Sequence, residues 1–275
     1  MIGETLSAPQ PVVLVTGASK GIGAYTCLWL AQAGADLAVV ARDGAALSKV
    51  AQGAARRGAE VLELPGDVGA PGQPEQAVAA VLERFGRLDA LVNNAGMVGP
   101  ISHLTEVDLD AWRATIETNL IAPIAWAQAG AGALRQSAGR LVNVTSEVAD
   151  MAAESLGAYG GTKAGLRHAT KTLAREEDRI TVIAYDPGPT DTALMDQIRQ
   201  EAATAMSPAV AKAYRDLPAS GRLVQPQDTA RVLAWLALMA PPEWSGRVVD
   251  HADPDAVGPA QKAIPGPSPS PSDSW

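Results

Sequence analysis

Short apolar runs that alternate with longer segments of helical composition constrain the fold of this chain most strongly. The runs PVVLVTG, DLAVVA, EVLELP, DALVNN, GRLVNVTS, RITVIAYD and GRVVD begin at residues 11, 36, 60, 89, 139, 179 and 246. Several are apolar at consecutive positions, which is typical of strands covered on both faces of a parallel sheet. Helical segments lie between them, near 21–34, 43–57, 74–86, 106–134, 156–178 and 226–240. The alternation predicts an α/β fold with a doubly wound parallel sheet of about seven strands.

The first apolar run continues directly into TGASKGIG, a glycine-rich turn that precedes a helical segment. Glycines between a strand and a helix let backbone N–H groups and the positive end of the helix approach a diphosphate. An ordinary tight turn is the alternative, but this position in the chain favours a dinucleotide site in a single-domain, Rossmann-like fold. The predicted contacts are Gly17, Ser19, Lys20, Gly21, Ile22 and Gly23.

Composition argues against several kinds of partner. The formal net charge is −8 without any block of basic residues, which argues against nucleic acid and anionic membrane surfaces. The single cysteine, Cys27, fits a reducing cytoplasm, and no apolar run approaches the roughly 18 residues of a membrane span. His103, His168 and His251 are scattered without the spacing of metal ligands. We therefore expect a soluble cytoplasmic protein that binds no nucleic acid, membrane or metal.

Several short motifs follow one another in a definite order: TGASKGIG (16–23), GDV (66–68), NNAG (93–96), TNL (118–120), VNVTS ending at 146, YGGTK (159–163) and PGPTDT (187–192). Their order and spacing resemble those of the short-chain dehydrogenase/reductase family over roughly residues 11–250. The resemblance implies the catalytic residues Asn119, Ser146, Tyr159 and Lys163. It extends the cofactor site beyond the glycine turn to Asp67, Val68, Asn93, Ala95, Gly96, Pro187, Gly188, Thr190 and Thr192, together with Tyr159 and Lys163.

Tyr159 and Lys163 lie one helical turn apart, beside adjacent glycines that lower helix propensity and permit close approach. Reduction of a carbonyl leaves an alkoxide that needs a proton donor. The ordinary pKa of a tyrosine, about 10, is too high for ready exchange at neutral pH. We therefore expect the Lys163 ammonium to lower the pKa of Tyr159, and Ser146 to hydrogen-bond the substrate oxygen. The resemblance further implies that Lys163 holds the nicotinamide ribose and that Asn119 holds a water relaying protons to Lys163.

The end of the second strand indicates which cofactor is used. An acidic residue there binds the ribose 2′-hydroxyl of NAD, whereas an arginine suits the 2′-phosphate of NADP. Ala41 occupies this position, Arg42 follows it, and Lys20 adds a second positive charge in the glycine turn. Asp43 either neutralises Arg42 in part or caps the next helix. The pattern favours NADP(H) over NAD(H).

The substrate pocket is predicted to lie beside the catalytic serine and within a segment near 188–222. Its candidate residues are Met97, Glu147, Ala153, Pro189, Leu194 and Met195. Leu194, Met195 and Met206 are adaptable apolar groups that either line this pocket or pack in the core. Glu147, Asp150 and Glu154 form either a solvated loop face or an entrance that repels anionic substrates. The chain departs from the family pattern at Ala149, at Ile183 and at His251-Ala252, and the last change falls on the C-terminal wall of the pocket.

These patterns together predict one catalytic domain. We expect a flexible N-terminus over 1–10, a dinucleotide-binding domain over 11–252, and a disordered Pro/Ser-rich tail over 253–275. The resemblance implies an enzyme, an NADP(H)-dependent oxidoreductase that interconverts a small-molecule ketone or aldehyde and an alcohol by hydride transfer. It also implies a homodimer or homotetramer. The alternatives are a 3-oxoacyl thioester reductase, which the acidic charge disfavours, and a non-catalytic dinucleotide-sensing protein.

Overall fold

A computed structural model describes residues 10–269 and contains one seven-stranded parallel sheet in the order β3-β2-β1-β4-β5-β6-β7. Its strands are β1 (Val12–Thr16), β2 (Asp36–Ala41), β3 (Val61–Pro65), β4 (Ala90–Asn93), β5 (Arg140–Val144), β6 (Thr181–Asp186) and β7 (Val248–Asp250). Every neighbouring pair is parallel. The chain first winds outward from β1 to β3, then crosses to β4 and winds the other way. This confirms the predicted doubly wound α/β fold.

Helices cover both faces of the sheet, which explains the continuously apolar strands. The helices are α1 (Gly21–Gln32), α2 (Gly44–Ala55), α3 (Gln73–Phe85), α4 (Leu109–Ile116), α5 (Ala122–Ser137), α6 (Gly157–Glu176), α7 (Ala193–Ala205), α8 (Pro208–Asp216), α9 (Pro226–Met239) and α10 (Pro254–Ala263). In β1, Val13 and Val15 pack against α1, α2, α9 and α10. Val12 and Leu14 point to the other face, among α3 and α5. Among residues 10–269, no helix is long and apolar enough to cross a membrane.

The long helical segment predicted near 106–134 is interrupted. Asp108 caps α4 by accepting hydrogen bonds from the backbone N–H groups of Asp110 (2.8 Å) and Ala111 (3.2 Å). A π-helical turn, Glu117–Ile121, then separates α4 from α5. Pro123 follows this turn, and a proline has no N–H to donate to the carbonyl four residues earlier, that of Asn119. Proline chemistry thus accounts for the break.

The prediction of a disordered tail from residue 253 is wrong for the part of the tail that the structure describes. Helix α10 occupies Pro254–Ala263, and Asp253 caps it by accepting from the N–H of Asp255 at 3.0 Å. Ala256, Ala260 and Ile264 recur at every fourth position and are at most 1% exposed. These three residues pack the helix against α9. Their helical spacing is obscured by the proline-rich composition of the tail. Residues 270–275, and the predicted flexible segment up to residue 9, lie outside the described residues.

The segment near 188–222, which carried no predicted element, contains α7 and α8. We refer to residues 193–216 as the helical cap, since it lies over the carboxyl edge of the sheet beside the loop that follows β5. Glu154 in that loop accepts hydrogen bonds from the backbone N–H (2.8 Å) and hydroxyl (2.7 Å) of Ser207, the residue at the start of α8. Ser155 also donates to the carbonyl of Ala205. These bonds fix the helical cap over the site described next.

Candidate active site

A cleft of about 670 Å³ opens at the carboxyl edge of the sheet, beside the point between β1 and β4 where the strand order reverses. Open α/β sheets bind their ligands at this position. Of the residues assigned from sequence to catalysis, the cofactor or the substrate pocket, all line the cleft except Asn93 and Asn119, and the further candidates Asp150 and Met206 also lie outside its lining. The structure thus brings the glycine turn, Ser146, Tyr159, Lys163 and the proposed substrate residues together around one cavity.

The glycine turn forms the floor of one end of the cleft. Gly17 has φ +65°, and a Cβ there would lie 2.7 Å from the Cα of Ala95. A Cβ on Gly23 would lie 2.3 Å from the carbonyl oxygen of Gly17. Both positions therefore require glycine. Lys20 is the N-cap residue of α1, and its side chain makes no capping hydrogen bond, so the first N–H groups of the helix suit a diphosphate.

The assignment of Asn93 to the cofactor site needs correction. Asn93 is 3% exposed, and its amide donates to the carbonyl of Pro123 (3.0 Å) and the side chain of Asn143 (2.9 Å). It joins β4 to β5 and α5 and does not line the cleft. Asn94 lines it instead, and donates to the carbonyls of Thr16 (2.9 Å) and Gly17 (3.1 Å). Side chains alternate along a strand, so consecutive asparagines point to opposite sides, and that signal was available in the sequence.

Three of the predicted catalytic residues, Ser146, Tyr159 and Lys163, line the centre of the cleft, where β5 ends and α6 begins. Tyr159 is 8% exposed and Lys163 is 3% exposed. The Ser146 side chain hydrogen-bonds the Tyr159 hydroxyl. The Lys163 ammonium donates to the carbonyl of Val144 at 2.8 Å and lies 5.7 Å from the centre of the Tyr159 ring. A donor hydroxyl, a second hydroxyl and a cation are therefore held within one buried pocket.

The pKa values of this group differ from the prediction. Burial raises the pKa of Tyr159 to about 12, although the hydrogen bond from Ser146 opposes the rise and the negative charge of Asp186 adds to it. Burial lowers the pKa of Lys163 to about 8, against the influence of Asp186. The expectation of a lowered pKa for Tyr159 is therefore wrong for this structure, because burial is the largest influence on that pKa. Tyr159 is therefore protonated at neutral pH.

Asn119 lies behind the cleft wall and is fully buried. Its side chain accepts from the N–H of Met97 (2.9 Å) and donates to the carbonyl of Met97 (2.7 Å) and the hydroxyl of Thr162 (3.1 Å). All of these partners are protein groups, so the Asn119 side chain is already hydrogen-bonded within the fold. A Cβ on Gly96 would lie 3.4 Å from Asn119 Oδ1 and 3.5 Å from Lys163 Nζ. A side chain at position 96 would therefore crowd both Asn119 and Lys163.

The end of β2 borders the same cleft as the glycine turn. Arg42 has a side chain that is 81% exposed, with its guanidinium 3.9 Å from the Asp67 carboxylate. Asp43 accepts from the N–H of Ala46 at 3.0 Å, so it caps α2, which was one of the two predicted roles. Arg42 and Lys20 both line the cleft here. The end of the cleft beyond the glycine turn is therefore bordered by two cations.

The opposite end of the cleft is mostly apolar. Leu194 and Met195 line it, whereas Met206 is buried outside the lining and packs in the core. Of the three acidic residues predicted near the entrance, Glu147 is exposed and lines the cleft, Glu154 binds Ser207, and Asp150 pairs with Arg167. His251, where the chain departs from the family pattern, packs against Gly188 of the cleft, since a Cβ on Gly188 would lie 2.4 Å from its ring.

Comparison with known proteins places these features in one family. The profile described as short chain dehydrogenase matches residues 11–203. An uncharacterized oxidoreductase from Saccharomyces cerevisiae is 33% identical over 247 residues, covering 88% of this chain and 96% of the yeast protein. The crystal structure of that yeast protein, a short-chain dehydrogenase/reductase, covers 93% of this chain and 100% of its own, with 31% identity and a TM-score of 0.85.

Two further similarities concern ketoreductases. A 3-oxoacyl-[acyl-carrier-protein] reductase from Synechocystis sp. is 31% identical over 230 residues, covering 82% of this chain and 88% of that protein. The crystal structure of an actinorhodin polyketide ketoreductase with NADPH is 30% identical, covers 88% of this chain and 95% of that one, and has a TM-score of 0.80.

Proposed function

The chain belongs to the short-chain dehydrogenase/reductase family and is an oxidoreductase of CH–OH or C=O groups, and we propose that it interconverts a ketone or aldehyde and an alcohol with NADP(H). One observation carries this proposal. Ser146, Tyr159 and Lys163 meet in the middle of a single cleft that has a glycine turn at one end and an apolar lining at the other. An oxidoreductase needs this order, with cofactor and substrate on either side of the proton donor. A non-catalytic sensor would not need the three polar groups.

The glycine turn fits the diphosphate of a dinucleotide, because Gly17 and Gly23 leave no room for a side chain and the first turn of α1 is open. We assign Arg42 and Lys20 to the 2′-phosphate of NADP(H), and Lys163 to the nicotinamide ribose. Gly188, Thr190 and Thr192 line the same cleft and are assigned to the nicotinamide end. When bound, this cofactor supplies a hydride to the carbonyl carbon, or accepts one from the alcohol.

The side chains of the protein move the proton. In the reducing direction Tyr159 donates its hydroxyl proton to the oxygen that becomes the alcohol, while Ser146 hydrogen-bonds the same oxygen and stabilises its developing negative charge. The tyrosinate left behind is costly, because burial raises the pKa of Tyr159 to about 12. The Lys163 ammonium offsets part of this cost, since it is held in the same buried pocket.

Tyr159 must then regain its proton. The pKa of Lys163 is lowered to about 8, so this lysine exchanges protons readily near neutral pH. The Asn119 side chain is committed to Met97 and Thr162, and we therefore assign the relay of protons to the backbone carbonyl of Asn119. Pro123 cannot donate to that carbonyl, and we infer that the carbonyl holds a water that exchanges protons with Lys163.

A 3-oxoacyl thioester reductase is the alternative within the same chemistry. It is favoured by the similarity to the reductase from Synechocystis sp.. An acidic carrier protein is attracted by a positively charged surface around the entrance, whereas this chain has a net charge of −8 and places Glu147 in the cleft lining. We therefore favour a free ketone, aldehyde or secondary alcohol as the substrate.

The test is a screen of ketones, aldehydes, secondary alcohols and short 3-oxoacyl thioesters, followed by NADPH or NADH absorbance. We expect turnover of free carbonyl compounds with NADPH, and loss of that turnover in Tyr159→Phe. Turnover of 3-oxoacyl thioesters alone would favour the alternative. An enzyme that uses only NADH, or reduces no carbonyl compound, would contradict the proposal.

We also propose that the protein forms a homodimer or homotetramer through α4, α5 and α6. Leu109 is 55% exposed and Ile121 is 47% exposed along the first of these helices and the turn that follows it. Small residues such as Ala125 and Gly132 permit close approach of helices. Light scattering at micromolar concentration should give a multiple of 28.3 kDa, and a monomer would contradict the assembly.

A further inference from the structure

Arg167 lies one helical turn after Lys163 on α6, and its side chain is only 6% exposed. Its guanidinium contacts the carboxylate of Asp186 at 3.1 Å, and that side chain is 8% exposed. A buried ion pair seldom stabilises a fold more than apolar residues of the same size would, because both charges lose their hydration. The position of this pair, directly behind the catalytic residues, therefore points to a role in the reaction.

The pair connects three walls of the cleft. Arg167 donates to the backbone carbonyl of Ser146 at 2.8 Å and to the hydroxyl of Thr145 at 3.3 Å, and it also contacts Asp150. Asp186 accepts from the backbone N–H of Gly188 at 3.1 Å. Ser146 follows β5, Gly188 follows β6, and Arg167 belongs to the helix that carries Tyr159 and Lys163. One network thus fixes the relative positions of these three segments.

The network also sets the charge around Tyr159. The negative charge of Asp186 raises the pKa of both Tyr159 and Lys163. Arg167 opposes it, since its positive charge and hydrogen bond act to lower the pKa of Asp186, although burial raises that pKa. The charged and titratable groups that face this region are Lys163 and Arg167 from α6, Asp186 from β6, Glu147 and Asp150 from the loop after β5, Asp250 and His251 at the end of β7, and Tyr214 from α8.

We propose that Arg167 and Asp186 are positioning residues for the reaction. The pair holds Ser146 and Gly188 in place against α6, and Arg167 neutralises the carboxylate that would otherwise disfavour the tyrosinate form of Tyr159. This inference rests on the proposed function, because it concerns the same proton transfer. It adds two residues that touch neither the substrate nor the cofactor in that scheme.

The test compares the pH dependence of kcat for alcohol oxidation in Arg167→Met, Asp186→Asn and the double variant. Arg167→Met leaves the Asp186 carboxylate without its countercharge. The apparent pKa in the kcat profile, which we assign to Tyr159, should therefore rise by about one unit or more. Asp186→Asn removes the carboxylate, so the same pKa should fall. The double variant carries neither charge and should return close to the wild-type profile. Arg167→Lys should keep the wild-type profile with a lower kcat, because it keeps the charge but loses the bonds that hold Ser146.

A merely structural role would lower stability in all of these variants without moving the profile in opposite directions. Unchanged profiles, or shifts of the same sign, would overturn the proposal. The double variant removes both charges of the buried pair and guards against misfolding of the single variants. If wild-type enzyme shows no turnover, the proposed function fails. The pair is then tested by tyrosinate absorbance titration, taking the difference between each variant with Tyr159 and with Tyr159→Phe, where the same opposed shifts are required.

Discussion

The Lys163 ammonium donates a hydrogen bond to the carbonyl oxygen of Val144 at 2.8 Å, although only 3% of the lysine is exposed. One carbonyl does not replace the water that an ammonium loses on burial, and the pKa of Lys163 is accordingly lowered to about 8. The folded protein thus retains a cation that its interior disfavours. We attribute this to catalysis, in which the charge is required beside Tyr159.

We expect Lys163→Met to lose nearly all turnover and to be more stable than wild type at neutral pH. The folded-state pKa, about 8, lies below the ordinary value of 10.5. Above the pKa of Lys163 in the unfolded chain, this lysine therefore does not reduce the free energy of unfolding. A reduction develops as the pH falls toward the pKa of Lys163 in the folded protein. Below that value it amounts to at most roughly 3 kcal/mol, less the cost of leaving the Val144 carbonyl unpaired. Denaturant unfolding of Lys163→Met and wild type at about pH 7 and about pH 10 gives the difference between their free energies of unfolding. An equal difference at both pH values would contradict the prediction.

Arg42→Ala should weaken NADPH and leave NADH nearly unaffected, because only NADPH carries the 2′-phosphate. The difference between the binding free energies of NADPH and NADH should shrink by on the order of 1–3 kcal/mol, the scale of a charge-assisted hydrogen bond. Fluorescence titration of both cofactors gives the two Kd values. Lys49→Ala is the matched control, since it removes an exposed cation from α2 that does not line the cleft. An unchanged ratio in Arg42→Ala would refute the cofactor assignment and leave the fold untouched.

Ile264→Ala should destabilise the protein by about 2–5 kcal/mol, the usual cost of removing a buried isoleucine side chain. Ile264 is 1% exposed and packs in the core beside Ala260. Gln261→Ala changes an exposed residue of the same helix and should have little effect. Truncation after Asp253 should lower Tm by at least as much as Ile264→Ala. A truncated protein with the full-length Tm would show that α10 does not stabilise the domain.

Glu154→Ala should raise KM for the carbonyl substrate and leave the Kd of NADPH unchanged, because Glu154 anchors the helical cap and not the glycine turn. Hydrogen bonds from Ser207, aided by His103, hold the pKa of Glu154 below its ordinary value of 4.5. The bonds between Glu154 and Ser207 therefore stabilise the helical cap fully above pH 4.5, the ordinary pKa. This stabilisation is lost as the pH falls through the lower pKa that Glu154 has in the folded protein. Hydrogen exchange of residues 193–216 measures it, with Glu201→Ala in α7 as the control. Equal exchange in both variants would argue against the anchor.

The parts of the site that depend on local sequence were predictable. Gly17, Gly21 and Gly23 lie in one turn after the first strand, and Tyr159 and Lys163 lie one turn apart on a helix, so short-range geometry alone brings each group together. Asp43 as a helix cap is predictable for the same reason. The order of strands and helices followed from apolar runs that need cover on both faces.

Features that depend on distant contacts were not predictable from one sequence. The burial of Tyr159, which raises its pKa to about 12, comes from the helical cap and the loop after β5. Arg167 and Asp186 are separated by 19 residues and meet only because α6 packs beside β6. Two other errors, by contrast, were avoidable from the sequence. In α10, composition suggested disorder, while the four-residue spacing of Ala256, Ala260 and Ile264 carried the correct signal. Asn93 was assigned from its motif without the alternation of strand side chains.

The central claim is that Tyr159 donates the proton, and the most direct measurement is kcat for carbonyl reduction by Tyr159→Phe, together with its Kd for NADPH. The substitution keeps the ring and removes the hydroxyl, so the alkoxide would form without its donor. We predict that kcat falls by about 10²–10⁴-fold, the usual contribution of general acid catalysis, while the Kd for NADPH stays at the wild-type value. Retention of full wild-type kcat by Tyr159→Phe would contradict the claim.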